Sequence, residues 1–378
     1  MRILHVADSY LPCMGGIEMH VSDLATRQQA ADHDVRILTA TPSAPGEGGG
    51  VPVTRLPGNP LAPGTGRYIR TLVEGEQVDV VHAHLSVGSP LAWSTLRVPM
   101  TAGRIATMHS VLPNAPTLLR AAMAVSGIRW QDKMFTAVSD VAARPLREAI
   151  PGMSVTVLPN GIDPAIWKTG RKPVTDDMFT VVSVGRFTRR KRLRALIGML
   201  TELRAALPPG KELRALIVGA GPQYETVRRD IHRAGLDGCV ELLGARTRDE
   251  IHTILDCADV YLAPARLESF GIAALEARCA GLPVVAMACS GVGEFIRDGI
   301  EGFLVADDRD MVAATHALAT DLGLLRRISS HNVTTDPTMA WDRVLDKHFD
   351  LYDRAISLGR SRARGIRSVV INPNSPAR

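Results

Sequence analysis

Residues Ala258–Ala288 read ADVYLAPARLESFGIAALEARCAGLPVVAMA, and this stretch decides the fold. Val260 to Leu262 are a short apolar run that Pro264 stops, the pattern of a buried strand. The loop ARLESFG follows. Gly271 then opens a segment rich in alanine and leucine, strong helix formers. Gly281 and Pro283 end that helix, and Val284 to Met287 form the next strand. Strand, loop, helix and strand make one unit of an open α/β sheet. Ligands bind such a sheet at the carboxyl ends of its strands, where loop N–H groups and a helix N-terminus favour an anion. Two glutamates mark the unit: Glu268 in the loop and Glu276 on the helix, with seven residues between them.

At these residues the chain resembles the family-4 retaining glycosyltransferases of the GT-B fold. Their signature is a Glu, seven residues, then a Glu, with Phe-Gly after the first; Glu268, Phe270, Gly271 and Glu276 fill it. The resemblance extends over about residues 1–358. It implies an α/β fold of GT-B type, two Rossmann-like domains facing each other across a cleft. The expected domains are 1–169, joined by a return helix 340–358, and 170–339, with a basic tail 359–378 lacking regular structure. The polar stretch IWKTGRKPVTDDM, with its Gly and Pro, sets the expected boundary.

Length and composition agree. A chain of 378 residues suits two domains, and with 46% hydrophobic but 4% aromatic residues, Ala, Val, Leu and Ile must do most of the packing. No apolar run is long enough to span a bilayer, and the opening MRILHVA reads as a first strand closed by Asp8, not as a secretory signal. Five cysteines, odd in number and without metal-type spacing, fit a reduced, cytoplasmic setting. The inner face of the membrane is the further expected location. The net charge of +5 suits a phosphate-bearing substrate, peripheral contact with an anionic membrane, or solubility alone. Scattered basic residues and few aromatics argue against nucleic acid.

Along the chain, Ile3 to Ala7 form a strand, followed by a loop with Pro12, Gly15 and Gly16 and then helical spacing at Ile17, Val21 and Leu24. The resemblance puts Gly15 and Gly16 beside the donor diphosphate. Strand DVVHAH turns His82 and His84 to one face. A metal pair lacks a third ligand with suitable spacing. His84, nearer the carboxyl end, is the candidate acceptor-side histidine, with a purely structural role as the even alternative. Strand RIATMH ends in His109, and Thr107-Met108-His109 matches a Thr-x-His context that implies a role near the transferred sugar. The segment VLPNAPTLLRAAMAVSGIRW, with Arg120 and Arg129, reads as an ordinary amphipathic helix in preference to a membrane-surface or acceptor-binding one.

Strand Phe179 to Val184 opens the second domain, and Gly185-Arg186-Phe187 leads into TRRKRLRALIGML. Basic charge at a helix start opposes the macrodipole, whereas a phosphate site calls for it. The resemblance assigns Arg186 and Lys191 to the phosphates; a solvated basic face is the reading for Arg189, Arg190, Arg192 and Arg194. The resemblance puts the residues after Gly244, Ala245 and Arg246, at the border of the nucleoside base, and Ile272 with Phe270 and Gly271 at the donor. Ser290-Gly291-Val292-Gly293-Glu294 departs from the family's Gly-Gly pair, with Ser290 for the first glycine and Glu294 near the donor sugar. Asp298-Gly299 and Glu301-Gly302 are turn signals.

The implied activity is retaining transfer of a hexosyl group from a nucleotide-diphosphate sugar to a hydroxyl of a glycan, lipid-linked or small-molecule acceptor, with no cofactor. Fixed cations are expected to replace a divalent metal. Asp32-His33-Asp34 lies at the wrong end of its strand for one, and Asp308-Arg309-Asp310 reads as a turn or cap. Arg186 and Lys191 would hold the leaving phosphate, Glu268 the sugar hydroxyls, Glu276 the ribose diol, and His109 the transferred sugar. The alternatives are a GT-B sugar-nucleotide epimerase, a phosphorylase, or a non-catalytic sugar-nucleotide-binding homologue. The presence of all four charged residues argues against the last.

Overall fold

A computed structural model describes residues 1–13, 15–43, 50–112, 116–170 and 177–370. Part of the expected linker (171–176), part of the loop after the second strand (44–49) and the last residues of the tail (371–378) lie outside them.

The chain divides into two units: Met1–Gly161 with Asp342–Arg378, and Ile162–Trp341. The division falls after Gly161, earlier than the expected 169/170 boundary. Backbone pairing explains this: Ile162 forms a bridge with Ala340, so the second unit's first residue pairs within that unit.

Among the described residues unit 1 holds seven parallel strands: β1 (Arg2–Ala7), β2 (Asp34–Thr39), β3 (Val53–Arg55), β4 (Val80–Leu85), β5 (Gly103–Met108), β6 (Met134–Ala137) and β7 (Val155–Val157). Their order is β3-β2-β1-β4-β5-β6-β7. Parallel strands need helical crossovers, which cover both sheet faces, so the strands read as apolar runs. β4 and β5 are buried along their whole length. The order reverses between β1 and β4, the point where such sheets leave a crevice.

Unit 2 repeats the plan with β8 (Met178–Val184), β9 (Glu212–Val218), β10 (Val240–Gly244), β11 (Val260–Ala263), β12 (Val284–Met287) and β13 (Gly302–Val305), in the order β10-β9-β8-β11-β12-β13. Its switch point lies between β8 and β11. Its core joins Phe179, Val181 and Ile217 of the sheet to Leu196, Leu200 and Leu203 of helix Leu193–Ala206.

The helix Trp341–Val370 places Leu351, Tyr352 and Ala355 in the unit 1 core beside Ile3, Val21, Val80 and Ile105. A Cβ at Gly103 would lie 2.6 Å from the backbone of Ala355, so this helix packs directly on the start of β5. The tail expected to lack regular structure from residue 359 is instead helical to Val370. Among the described residues no helix is long and apolar enough to cross a membrane. The five cysteines are free.

Of Glu301-Gly302, read as a turn signal, Glu301 does end a turn, while Gly302 opens β13. A Cβ at Gly302 would sit 1.9 Å from the Val284 carbonyl oxygen, so the glycine is there for close strand approach.

Candidate functional site

In unit 2 the basic run does not open a helix as expected. Arg189–Lys191 form a separate 3-10 turn, and helix Leu193–Ala206 starts after it. Arg192 stands between them at φ 53°, a left-handed conformation that a non-glycine residue adopts at a cost. Its partners offset that cost. The guanidinium donates to Asp308 at 2.9 and 2.7 Å and to the Pro264 carbonyl at 3.0 Å. Arg192 therefore ties the basic turn to the start of the Glu268 loop, a role the reading as a solvated basic face missed. No signal pointed to it, since Asp308 is 116 residues away in sequence.

The same geometry brings Lys191 onto Glu268, where Nζ donates to Oε2. Glu268 is 18% and Lys191 34% exposed, so the pair sits in a part-buried recess, not on open surface. The lysine stem lies over Gly185, where an added Cβ would meet Cε at 3.3 Å. Arg186 follows the carboxyl end of β8 and is exposed. Lys191 and Glu268 thus meet at the carboxyl ends of β8 and β11, the two strands that flank the switch point.

Glycines shape the loop that carries Glu268. Gly271 caps helix Ile272–Cys279 at φ 91°, a value that favours glycine. Gly291 donates its N–H to the Glu268 carbonyl at 2.8 Å, and a Cβ there would lie 2.1 Å from the Ser269 carbonyl oxygen. Ser290, which stands where the family pattern has glycine, is held locally: its hydroxyl donates to the Met287 carbonyl and accepts from the Val292 N–H, capping the short helix Gly291–Glu294. Ile272 begins its helix, half-buried, and Glu294 is half-buried at the end of the short helix.

Glu276 is half-buried on the same helix. The Tyr261 phenol is raised well above its usual range, first by burial and then by the charges of Glu268 and Glu276, against the hydrogen bond it donates to the Val184 carbonyl. Both carboxylates therefore act on one side chain of β11.

Two expected donor residues have partners of their own within unit 2. The Phe270 ring is fully buried against Phe295, with centroids 5.3 Å apart, so it packs the loop and offers a ligand at most its backbone. Arg246 pairs with Glu250 at 3.0 Å beside the capping box of helix Arg248–Asp256, which gives it a structural partner. Gly244 ends β10 at φ 72°, and its carbonyl accepts from Gly219. Of the two Asp-x-Asp stretches, Asp32-His33-Asp34 enters β2 at its amino end, and Asp308 of the other is held by Arg192.

In unit 1, Gly15 caps helix Gly16–Ala30, and an added Cβ would meet a Glu18 carboxylate oxygen at 2.3 Å. The histidines form a network larger than the sequence suggested. His5 of β1 lies opposite His82 in the β1–β4 register. His5 Nε2 is 2.7 Å from Gln28 Oε1, His5 Nδ1 is 2.9 Å from His84 Nε2, and His84 Nδ1 is 2.9 Å from His109 Nε2. His82 reaches the Tyr352 hydroxyl at 2.9 Å and Thr107 Oγ1 at 2.6 Å. His5, His82 and His84 have the proximity of a metal group, which supplies the third ligand the sequence lacked. They do not fit one as arranged, since both ring nitrogens of all three are already hydrogen-bonded. His84, expected on the acceptor side, is a buried link in this chain, because both its nitrogens face other histidines.

Burial holds every ring of the network neutral. His109 is pushed down to about 3, first by burial and then by the repulsion it would meet from a protonated His348. His5 is pushed down to about 4 by burial, against its hydrogen bond to Gln28. His82 and His84 fall well below the usual range by burial and by the neighbouring histidines. His109 at the end of β5 can therefore give or accept a hydrogen bond but cannot serve as a charged acid near neutral pH.

Two family models match the chain: "Glycosyltransferase Family 4" over residues 14–166 and "Glycosyl transferases group 1" over residues 178–321. The chain is 31% identical to the phosphatidyl-myo-inositol mannosyltransferase of Mycolicibacterium smegmatis, covering 83% of each chain. In structure it is similar to a glycosyltransferase from Rickettsia africae, with TM-score 0.74, 17% identity, and 94% and 98% of the two chains covered. It is also similar to the Anabaena HepE protein in complex with UDP-glucose, with TM-score 0.70, 20% identity, and 97% and 100% covered.

Proposed function

The chain belongs to the group 1 glycosyltransferases of the GT-B fold, and on that premise we propose that it transfers a hexosyl group with retention, from a nucleotide-diphosphate sugar to an acceptor hydroxyl. The observation that carries this reading is the Lys191–Glu268 pair at the carboxyl ends of β8 and β11. A cation and a carboxylate held side by side at a switch point suit a ligand with a diphosphate next to a polyol. One of the three ammonium donors of Lys191 goes to Glu268, which orients the others.

In the proposed step the bond from sugar C1 to the phosphate oxygen breaks, and its electron pair leaves with the nucleoside diphosphate. The acceptor oxygen bonds C1 on the same face, and its proton passes to the departing phosphate oxygen. Negative charge grows on that phosphate. Arg186, Lys191 and the N–H groups opening helix Ile272–Cys279 stabilise it, and one well-aimed donor of this kind contributes about 10²–10³ in rate. Glu268 accepts from sugar hydroxyls and Glu276 from the ribose diol. In unit 1, His109 is assigned to the sugar. Side-chain cations supply the charge a divalent metal would otherwise bring. A lipid-linked acceptor is supported by the phosphatidyl-inositol acceptor in the name of the mycobacterial relative, and the donor class by UDP-glucose in the Anabaena complex.

The test incubates the full chain with UDP-, GDP- and ADP-sugars and candidate acceptors, following diphosphate release and the anomeric configuration of the product by NMR. Acceptor-dependent release with a retained anomer is expected. Isomerised sugar nucleotide without an acceptor, a requirement for inorganic phosphate, or an inverted anomer would each overturn the reading.

A further inference from the structure

We propose that Gln28 is a positioning residue that fixes the tautomer of His109 through His5 and His84, so that His109 presents a bare, accepting Nδ1. The sugar-facing consequence rests on the assignment of His109 above; the relay itself does not.

The inference follows from counting protons. A neutral imidazole carries one N–H, and each hydrogen bond needs one proton between its two atoms. Gln28 Oε1 has none to give, so His5 must carry its proton on Nε2 and leave Nδ1 bare. The link from His5 Nδ1 to His84 Nε2 then takes its proton from His84 Nε2, which leaves His84 Nδ1 bare. The link to His109 takes its proton from His109 Nε2, and Nδ1 of His109 is left bare. The other end of the Gln28 amide runs the same way. Its Nε2 donates to the Tyr352 hydroxyl at 2.9 Å. Tyr352 then donates to His82 Nδ1, His82 Nε2 donates to Thr107, and Thr107 donates to Thr136 at 2.6 Å. Each link in both branches then holds one proton between its two atoms, and the first branch ends at His109 Nδ1.

Turning the Gln28 amide over would reverse all of these assignments together. His5 and Gln28 are fully buried, so no water replaces a missing partner. Gln28 is held by Tyr352, which the C-terminal helix packs into the unit 1 core. An accepting Nδ1 selects a donor on the ligand, and a sugar hydroxyl meets that need. A family-wide Thr-x-His motif does not specify this choice; the residues that make it, Gln28 and His5, lie outside the motif.

The test records long-range 1H–15N spectra of full-length protein labelled with 15N-histidine at neutral pH. His5, His84 and His109 should each show a protonated Nε2 and a bare Nδ1. Protonation at Nδ1, or a charged ring, at any of the three would overturn the relay, and this arm needs no variant and no activity. In Gln28→Met, with folding checked by its thermal transition, His109 should divide between two tautomers. Turnover should fall by about tenfold while the donor KM changes less. An unchanged single tautomer in Gln28→Met would remove Gln28 as the anchor. A correct tautomer pattern in a protein that turns over no sugar nucleotide would uphold the relay and count against the transferase reading alone.

Discussion

Gly291→Ala should disable the candidate site without touching any charged group. The added Cβ would lie 2.1 Å from the Ser269 carbonyl oxygen, 2.5 Å from its carbon and 2.9 Å from the Phe270 nitrogen. All three are backbone atoms, so no side chain can swing aside. The loop and the short helix must separate by about 1 Å to reach ordinary contact. That motion strains the 2.8 Å hydrogen bond from Gly291 to the Glu268 carbonyl and carries Glu268 away from Lys191. Overpacking of this kind costs about 1–3 kcal/mol, and a site displaced by about 1 Å loses roughly 10²-fold in rate. Gly293→Ala is the control, because its Cβ would meet only Leu304 Cδ1, at 3.7 Å. The assay is diphosphate release from an active sugar nucleotide, with calorimetric melting of both variants. Gly291→Ala melting and turning over like wild type, or Gly293→Ala falling as far, would refute the steric account.

Unit 1 should lose stability in mild acid. His5, His20, His82, His84, His109 and His348 are buried, and all are held below their usual pKa of 6.5, first by burial. The unfolded chain protonates them first, so their contribution is full above pH 6.5 and is lost as pH falls toward about 4. Melting curves from pH 7.5 to 4 should show this fall, and a flat curve would count against a neutral network. Unit 2 should resist to lower pH. Burial would raise Glu301, but hydrogen bonds from Arg297 and His331 and the charge of Arg278 outweigh it and hold it at about 2, so that stability is lost only as pH falls from 4.5 toward 2. Glu301→Gln, which leaves Arg278 buried without its carboxylate, should destabilise unit 2 by about 3 kcal/mol in denaturant titration. Turnover should survive a chelator such as EDTA; abolition with rescue by a divalent ion would place a metal in the mechanism.

The strand–loop–helix–strand unit was legible because its signals are local: Pro264 ends one strand, Gly271 opens the helix, and Gly281 closes it. Lys191 and Glu268 came together as motif matches, one on each side of the switch point. β13 was hidden because Gly302 has the composition of a turn and the geometry of a close approach. The histidine relay was hidden for a different reason. His82 and His84 alternate within one strand, but His5 joins them only through β1–β4 pairing, and Gln28 and Tyr352 only through helices packed on the sheet. Phe270 shows the limit of a motif: the position matched while the ring points into the core.

The central claim is that unit 2 holds a departing diphosphate with Lys191 beside Glu268. Turnover by Lys191→Ala, on a substrate the wild type uses and with melting unchanged, tests it most directly. The account predicts a fall in kcat of about 10²–10³. Turnover at the wild-type rate by that folded variant would contradict it.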